Sequence, residues 1–489
     1  MANVIIVGAG VAGLSAALTL CRDGHSVTLV ERDATPLPSD AHGAFEWDRR
    51  GAPQVRHSHA FLARLRNSLR DRYPDVLDAL FEAGATELDF ISMLPEDMDP
   101  TPRPGDEDLV ALACRRTTFE WVLRRLVLAE PGVELLDGVA VTGLTVAEPI
   151  SAGDAPHVRG VVLDDGRRLD ADLVVAAGGR RCGVPAMLSE LGVDLAERTE
   201  DTGIVYFSRF FELHDGAEYP PQTGPIGGDL GAVKYGVFPG DNRTFSITLA
   251  VAAHDDELRR AVLDPDGFLR VAAEVPATAL HVDGRATPIG GVHVMARLLN
   301  RRRHFTSPEG APRVLGFSAV GDAHTCTNPL YGRGCSLAFV QAELLAESLA
   351  RHPDDPVERA RHYEQRCDEE ILPWYRAAVA QDRATRAASE PVPDDGRVDG
   401  STDAPTVPAE DPMRAMMRDG LLPAMRVDPV VVRAFLRMFN LLEPPDSLIK
   451  DFDVIGRVMT VYQDRDLRPP EPALGPGRDE LLRAAIGSA

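Results

Sequence analysis

Between residues 3 and 33 the chain runs apolar, then glycine-rich, then amphipathic, then apolar again. Val4 to Val7 is a short unbroken apolar run of the kind that forms a buried strand. Leu14, Ala17, Leu18 and Cys21 follow at helical spacing on one face, and Ser26 to Val30 is a second strand ending in Glu31. Farther along, Phe119, Val122, Leu123 and Leu126 repeat as one face of a helix. Residues 134 to 176 alternate as short strands, and "LDADLVVAAGGRRC" reads as a buried strand entering a glycine turn. Residues 202 to 212 and 243 to 252 read as strands of a second, antiparallel sheet, with a loop and hairpin between them. Val314 to Val320 is another strand, and Leu337, Val340, Gln341 and Leu344 mark the helix after it.

Strands alternating with helices, plus a separate antiparallel block, predict an α/β fold of two units with a helical C-terminal extension. The first unit is expected over 1–60, 108–200 and 285–388, and the second over 61–107 and 201–284. Residues 389–412 mix proline and acids with little apolar content and read as a linker. Residues 413–489 read as a helical cap over the core, its Met413, Met416 and Met417 serving as packing.

The turn after the first strand sharpens this. Gly8, Gly10 and Gly13 form a GxGxxG set between a strand and a helix, and Glu31 ends the next strand. In a nucleotide-binding turn the first glycine permits the bend, the second admits a pyrophosphate and the third lets helix and strand pack. Glu31 is then placed for the adenosine ribose hydroxyls, with Arg32 beside it. Those residues predict dinucleotide binding and leave FAD and NAD both open.

A second glycine-rich stretch, "GDAHTCTNPLYGRGCSLAF", lies about 310 residues downstream between a strand and a helix. A carboxylate at the strand end, Asp322, suits a polyol hydroxyl, and free amides at the helix start stabilise negative charge. A ribityl chain and a flavin ring that becomes anionic on reduction need both features, and NAD needs neither. Arg116, at the start of a helix, places a cation where the helix dipole disfavours it unless an anion is close. His57 and His59 in "GAPQVRHSHAFL" lack a third metal ligand nearby and read as solvated or cofactor-facing, so no metal is expected.

Composition narrows the partners. A net charge of −23 over 489 residues argues against nucleic acid and anionic membrane surfaces. No apolar run reaches the roughly 20 residues of a membrane span. The six cysteines show no CxxC pair and read as reduced thiols, which points to the cytoplasm.

Taken together these motifs resemble the FAD-dependent monooxygenases of the para-hydroxybenzoate hydroxylase superfamily. The resemblance rests on Gly8, Gly10, Gly13 and Glu31, on Arg116 to Glu120, and on Gly321-Asp322 continuing through Pro329 to Gly332 and Gly334. "APQVRHSHAFL", "ADLVVAAGGRR" and "TNPLYGRGCSLA" are most similar to squalene-epoxidase and polyether-epoxidase relatives. It implies a Rossmann-like FAD-binding domain, an antiparallel-sheet substrate domain and non-covalent FAD held by the residues just named. It also implies NAD(P)H and O2 as co-substrates, with a C4a-hydroperoxyflavin transferring one oxygen to the substrate by epoxidation or hydroxylation. His59, Tyr206, Tyr235 and Arg333 are candidates for the catalytic pocket by position. The apolar run from Ile204 to Phe211, with no obvious basic cluster, predicts an apolar small-molecule substrate. One departure is Ala177-Gly178-Gly179, where the family usually has an acid or hydroxyl at the middle position. Two other readings use the same scaffold: an FAD-dependent polyprenyl-type reductase, and a non-catalytic flavin-binding protein.

Overall fold

The computed structural model describes residues 1–95, 98–148, 155–220, 226–389, 415–468 and 475–487. The expected linker, apart from residue 389, and Met413 lie outside the described residues.

The central sheet is parallel, in the order Phe317–Ala319, Leu173–Ala176, Asn3–Val7, Ser26–Glu31, Val133–Asp137. Apart from the half-exposed edge strand Val133–Asp137, its strands are largely buried on both faces, which is why they read as apolar runs. Val4, Ile6, Leu29 and Val175 point into one core with Leu14 and Leu18 of the helix Val11–Arg22. Ile5, Val30 and Val174 point into the other. In register, Val7 pairs with Val30 and Ala176, and Ala176 with Ala319. The carboxyl ends of four strands are therefore level, and in such sheets ligands bind beyond that edge.

The domain boundaries move in two places. Helices Ala63–Arg72 and Pro74–Glu82 bury Leu65, Leu69, Val76 and Leu80 in the same core as Val4 and Leu14. The expected second-domain stretch 61–107 thus begins inside the first domain. Conversely Ala286–Met295, expected in the first domain, is an edge strand of the second sheet. That sheet is antiparallel, in the order Gly227–Asp229, Val233–Pro239, Thr244–Ala252, Ile204–Leu213, Ala286–Met295.

Alternation gives this second sheet two different faces. Val205, Phe207, Phe211, Val237, Phe245, Ile247 and Leu249 lie under helices Asp256–Leu263 and Pro265–Glu274. The opposite face, with Tyr206, Ser208 and Thr248, meets loops of the first domain.

The C-terminal part is not one cap. Residues 415–468 hold a small core of Leu421, Ala424, Val431, Val454 and Val458. They dock on the first domain, where Asn440 Oδ1 accepts from the Ala63 amide at 3.0 Å and Arg433 pairs with Asp106 at 3.1 Å. The last helix, Arg478–Ile486, instead inserts Leu481, Leu482 and Ala485 into the second domain's helix-covered core.

Candidate active site

At the end of the first strand the three glycines divide by what surrounds them. Gly8 has φ +111°, and a Cβ there would lie 2.8 Å from the Ala177 carbonyl oxygen. A Cβ on Gly13 would lie 1.8 Å from the Gly8 carbonyl oxygen. Both are required by the protein's own packing. Gly10 is different: a Cβ there would meet no atom within 4 Å. Gly10 also begins the 12-residue helix Val11–Arg22 with no side-chain cap, so the first helical amides face that open space. This is the geometry by which free backbone amides receive a phosphate.

Glu31 is buried, and its Oε2 accepts from the Ala9 amide at 2.9 Å. Around it lies a network whose members only partly appear in the sequence motifs. The buried Arg49 guanidinium donates to Glu120 Oε1 at 2.8 Å, Asp33 Oδ2 at 2.9 Å and the Ala9 carbonyl at 3.2 Å. Glu120, fully buried, also accepts from Arg116 Nη2 at 2.8 Å, and Arg116 Nη1 donates to Cys335 Sγ at 3.2 Å. Arg116 thus finds the carboxylate its helix position asks for. Arg49 and Asp33 were missed because neither has a spacing that marks it in "ERDATPLPSDAHGAFEWDRRG". Arg32 is exposed and stands apart from this network. Beside Arg49, Trp47 Nε1 and Arg124 Nη1 are buried without a hydrogen-bond partner among the described residues. Two orphan donors next to an open, uncapped glycine turn fit the diphosphate end of FAD.

The second glycine loop meets the first. Gly321 has φ +59°, and its Cβ would lie 2.6 Å from Ala12 Cβ. The Gly321 amide donates to Gln341 Oε1 at 2.7 Å. Burial raises the Asp322 carboxyl above its ordinary pKa, against the pull of Arg180, Arg116 and Arg301. Gly332 has φ +63° and its Cβ would lie 2.7 Å from Ala60 Cβ, which brings the His57–His59 segment against this loop. Gly334 begins the 18-residue helix Gly334–Arg351, and a Cβ there would meet nothing within 4 Å. Pro329 opens the short turn between them, and Asn328 Oδ1 accepts from the Leu330 amide at 3.0 Å. At Gly178 the backbone is ordinary (φ −75°), but a Cβ would come 3.0 Å from Cys182 Cβ. A side chain there would have to displace Cys182, which explains the glycine in packing terms.

The second sheet's inner face closes the region. His57 Nδ1 lies 3.1 Å from Ser208 Oγ, and Ser208 Oγ 2.8 Å from Thr248 Oγ1. Thr248 Oγ1 donates to Ser58 Oγ at 2.7 Å, which donates to Ser246 Oγ at 2.7 Å. A hydroxyl chain therefore starts at a buried imidazole. Burial pushes His57 down to about 4, with His293 adding to it, and His59 down to about 3, with Arg116 adding to it. Both rings are neutral at pH 7. His59 Nδ1 donates to the His57 carbonyl at 2.9 Å, which leaves Nε2 as an acceptor.

Of the residues singled out by position, Tyr206 reaches the second loop, its Oη donating to Asn328 Oδ1 at 3.2 Å. Tyr235 does not belong to the site. It packs with Val233 and Val237 on the helix-covered face, because strand alternation sends every second residue away from the cleft. The same alternation splits the apolar run Ile204 to Phe211, so the cleft side carries Tyr206 and Ser208 beside Ile204 and Phe210. That face is more polar than an apolar substrate requires. Among the described residues there is no cluster of three metal-ligating side chains and no helix long and apolar enough to cross a membrane.

Residues 3–84 match the family model described as FAD dependent oxidoreductase. Protein Rv3254 of Mycobacterium tuberculosis is 29% identical, over 96% of this chain and 96% of its own length. PqsL, a probable FAD-dependent monooxygenase from Pseudomonas aeruginosa, superposes with a TM-score of 0.55 at 18% identity, covering 80% of this chain and 97% of its own. The flavin-dependent halogenase CmlS gives a TM-score of 0.54 at 19% identity, covering 99% of this chain and 76% of its own. This chain thus shares the fold of FAD-dependent monooxygenases, and its N-terminal part carries the sequence pattern of the FAD-dependent oxidoreductases.

Proposed function

We propose that the protein is an FAD-dependent monooxygenase that inserts one oxygen of O2 into a small organic substrate, by epoxidation or hydroxylation, with NAD(P)H as reductant. The observation that carries this reading is the meeting of the two glycine loops under the second sheet. A Gly321 Cβ would lie 2.6 Å from Ala12, and Gly10 and Gly334 both face open space at helix starts. FAD would lie across that junction, its diphosphate at Gly10, its ribose against Glu31, its ribityl chain against Asp322 and its ring at the Gly334 helix start. When bound, it supplies the exchange of electrons with NAD(P)H and O2. The chain's own residues orient and exclude water. Arg116 and Glu120 hold the helix that backs the site. His59, neutral and with Nε2 unprotonated, can accept a hydrogen bond at that atom, while the hydroxyl chain from His57 to Ser246 preserves hydrogen bonding across the sheet face.

The test is isotopic. Purified protein with bound flavin should oxidise NADH or NADPH faster when substrate is added, and 18O from labelled O2 should appear in the product. Turnover of the same substrate under nitrogen with no oxygen incorporated would replace this reading with the reductase.

A further inference from the structure

The strand Leu299–His304 carries three consecutive arginines, and all three are buried: Arg301 is 8% exposed, Arg302 0% and Arg303 4%. Alternation sends Arg301 and Arg303 one way and Arg302 the other. Arg303 Nη1 donates to the Ala323 carbonyl at 2.7 Å and the Arg303 amide to the His324 carbonyl at 3.0 Å. Arg301 Nη2 lies 3.4 Å from the Asp322 carbonyl oxygen. Arg302 Nη1 donates to Thr325 Oγ1 at 3.2 Å, and its Nη2 pairs with Asp368 at 2.5 Å. The backbone around Asp322 is therefore gripped from the protein side.

His324, two residues beyond Asp322, is fully buried and closes the turn, its amide donating to the Gly321 carbonyl at 2.9 Å. Its ring is fixed at both nitrogens and by two aromatic neighbours. Nε2 donates to Glu364 Oε1 at 3.2 Å, since a carboxylate only accepts, and Nδ1 lies 2.8 Å from Thr325 Oγ1. Phe305 stacks on the ring at 5.7 Å and Tyr363 stands across it at 6.1 Å. Burial would raise the Glu364 carboxyl, but His324 and Arg302 hold it below its ordinary pKa. Such a cluster costs desolvation, and apolar side chains of similar volume would pack there without it. His324 and Arg302 are 0% exposed, so neither can touch a ligand. What they can do is hold the turn. It begins on a glycine at φ +59°, and a carboxylate has to be held within about 0.5 Å to serve a ligand hydroxyl.

We propose that His324, locked by Glu364, is the positioning residue for Asp322. It fixes the turn so that the Asp322 carboxylate is preset for a ribityl hydroxyl before the flavin arrives. This rests on the FAD reading for the identity of the ligand. His324 and Glu364 act through Asp322 and touch no cofactor themselves.

The experiment titrates the full flavin-free chain with FAD and with ADP. ADP probes the Gly10 and Glu31 end alone, whereas FAD also engages Asp322. Replacing the pair together, His324→Leu with Glu364→Leu, strands no charge, because Arg302 keeps Asp368, so the melting temperature should match the parent's. This variant should bind FAD at least about tenfold more weakly, as loss of one hydrogen bond to a charged group does, and ADP as the parent does. Glu364→Gln, which still offers Nε2 an acceptor, should stay within about threefold of the parent for FAD. In an Asp322→Ala background the pair replacement should cost less than about threefold, because no carboxylate is left to position. A pair variant that binds FAD like the parent would overturn the proposal. So would equal losses for ADP and FAD, or a full penalty that persists in the Asp322→Ala background, since both describe a structural role. A pair variant that does not fold shifts the comparison to His324→Gln, which reaches one of the two partners and should show the same split between FAD and ADP. A parent that binds ADP and no FAD would remove the flavin reading and the proposal with it. Loss of the pair's effect in a protein that binds FAD would remove the proposal alone.

Discussion

At the scale of single residues, the glycines show how one motif carries two kinds of constraint. Gly13 is closed in by the Gly8 carbonyl, whereas Gly10 faces space that the protein itself leaves open. Gly13→Ala should therefore cost about 3 kcal/mol of stability with or without FAD, as overpacking against backbone does. Gly10→Val should leave the melting temperature of the flavin-free protein unchanged and weaken FAD binding at least about tenfold, a loss of about 1.4 kcal/mol. Calorimetry of flavin-free protein and flavin titration separate the two. If Gly10→Val binds FAD like the parent, the diphosphate does not lie there.

Buried histidines give a residue-scale prediction about pH. His57 titrates at about 4 in the fold because of burial, against about 6.5 in the unfolded chain. Between those values the unfolded chain holds the proton and the folded chain does not. Stability therefore falls as pH drops below 6.5, and the full loss is reached below pH 4. For this ring it amounts to about 3 kcal/mol, and His59 acts in the same direction. His57→Gln should show a shallower loss between pH 7 and pH 5 in urea melts. Identical slopes would mean that His57 is hydrated in solution.

At the scale of elements, the two domains are joined by a buried clamp. Asp241, in the turn before the strand Thr244–Ala252, accepts from the Arg115 amide at 2.7 Å, from Arg115 Nη2 at 2.6 Å and from Thr118 Oγ1 at 2.9 Å. It is fully buried, so the pair resists water and salt. Removing one partner strands the other, and Asp241→Ala should cost about 3–5 kcal/mol in a denaturant titration. A loss below about 1 kcal/mol would mean that Arg115 finds another acceptor. Nothing in the local sequence around Asp241 marks this role, since its partners lie more than 120 residues away. The start of the partner helix was legible, because Phe119, Val122 and Leu123 keep helical spacing.

At the scale of the whole molecule, the C-terminal region belongs to both domains. Ending the chain at residue 468 removes Leu481, Leu482 and Ala485 from the core beside Phe268 and Val271. Burial of even one such leucine contributes about 2–5 kcal/mol. The shortened chain should therefore melt at a clearly lower temperature while its N-terminal domain still binds FAD. Arg433→Ala, which loosens residues 415–468 from Asp106, is the better probe of whether that bundle shields the cleft. An unchanged melting temperature on truncation would mean that the last helix does not pack as described.

The sequence by itself determined the main elements and the glycine turn after the first strand. Strands buried on both faces must be apolar throughout, and turns that need φ above zero or close backbone approach must be glycine, so both leave marks that are local in the chain. It also put Arg116 at the start of its helix, Glu31 at the end of its strand and Asp322 in the turn Gly321–Ala323, where the fold has them. Only the tertiary structure decided which face of the second sheet meets the cleft, and with it the separation of Tyr206 from Tyr235. Only the fold brought Arg49 against Glu120, 71 residues away, and closed Asp382 around Asn300, Asn328 and Tyr331. Arg333 shows the difference most clearly. Its presence is plain in the sequence, but that it is buried against Tyr331 and Trp374 with no ion pair among the described residues depends on where every other charge ends up, and pairing at a distance leaves no periodic trace in the chain.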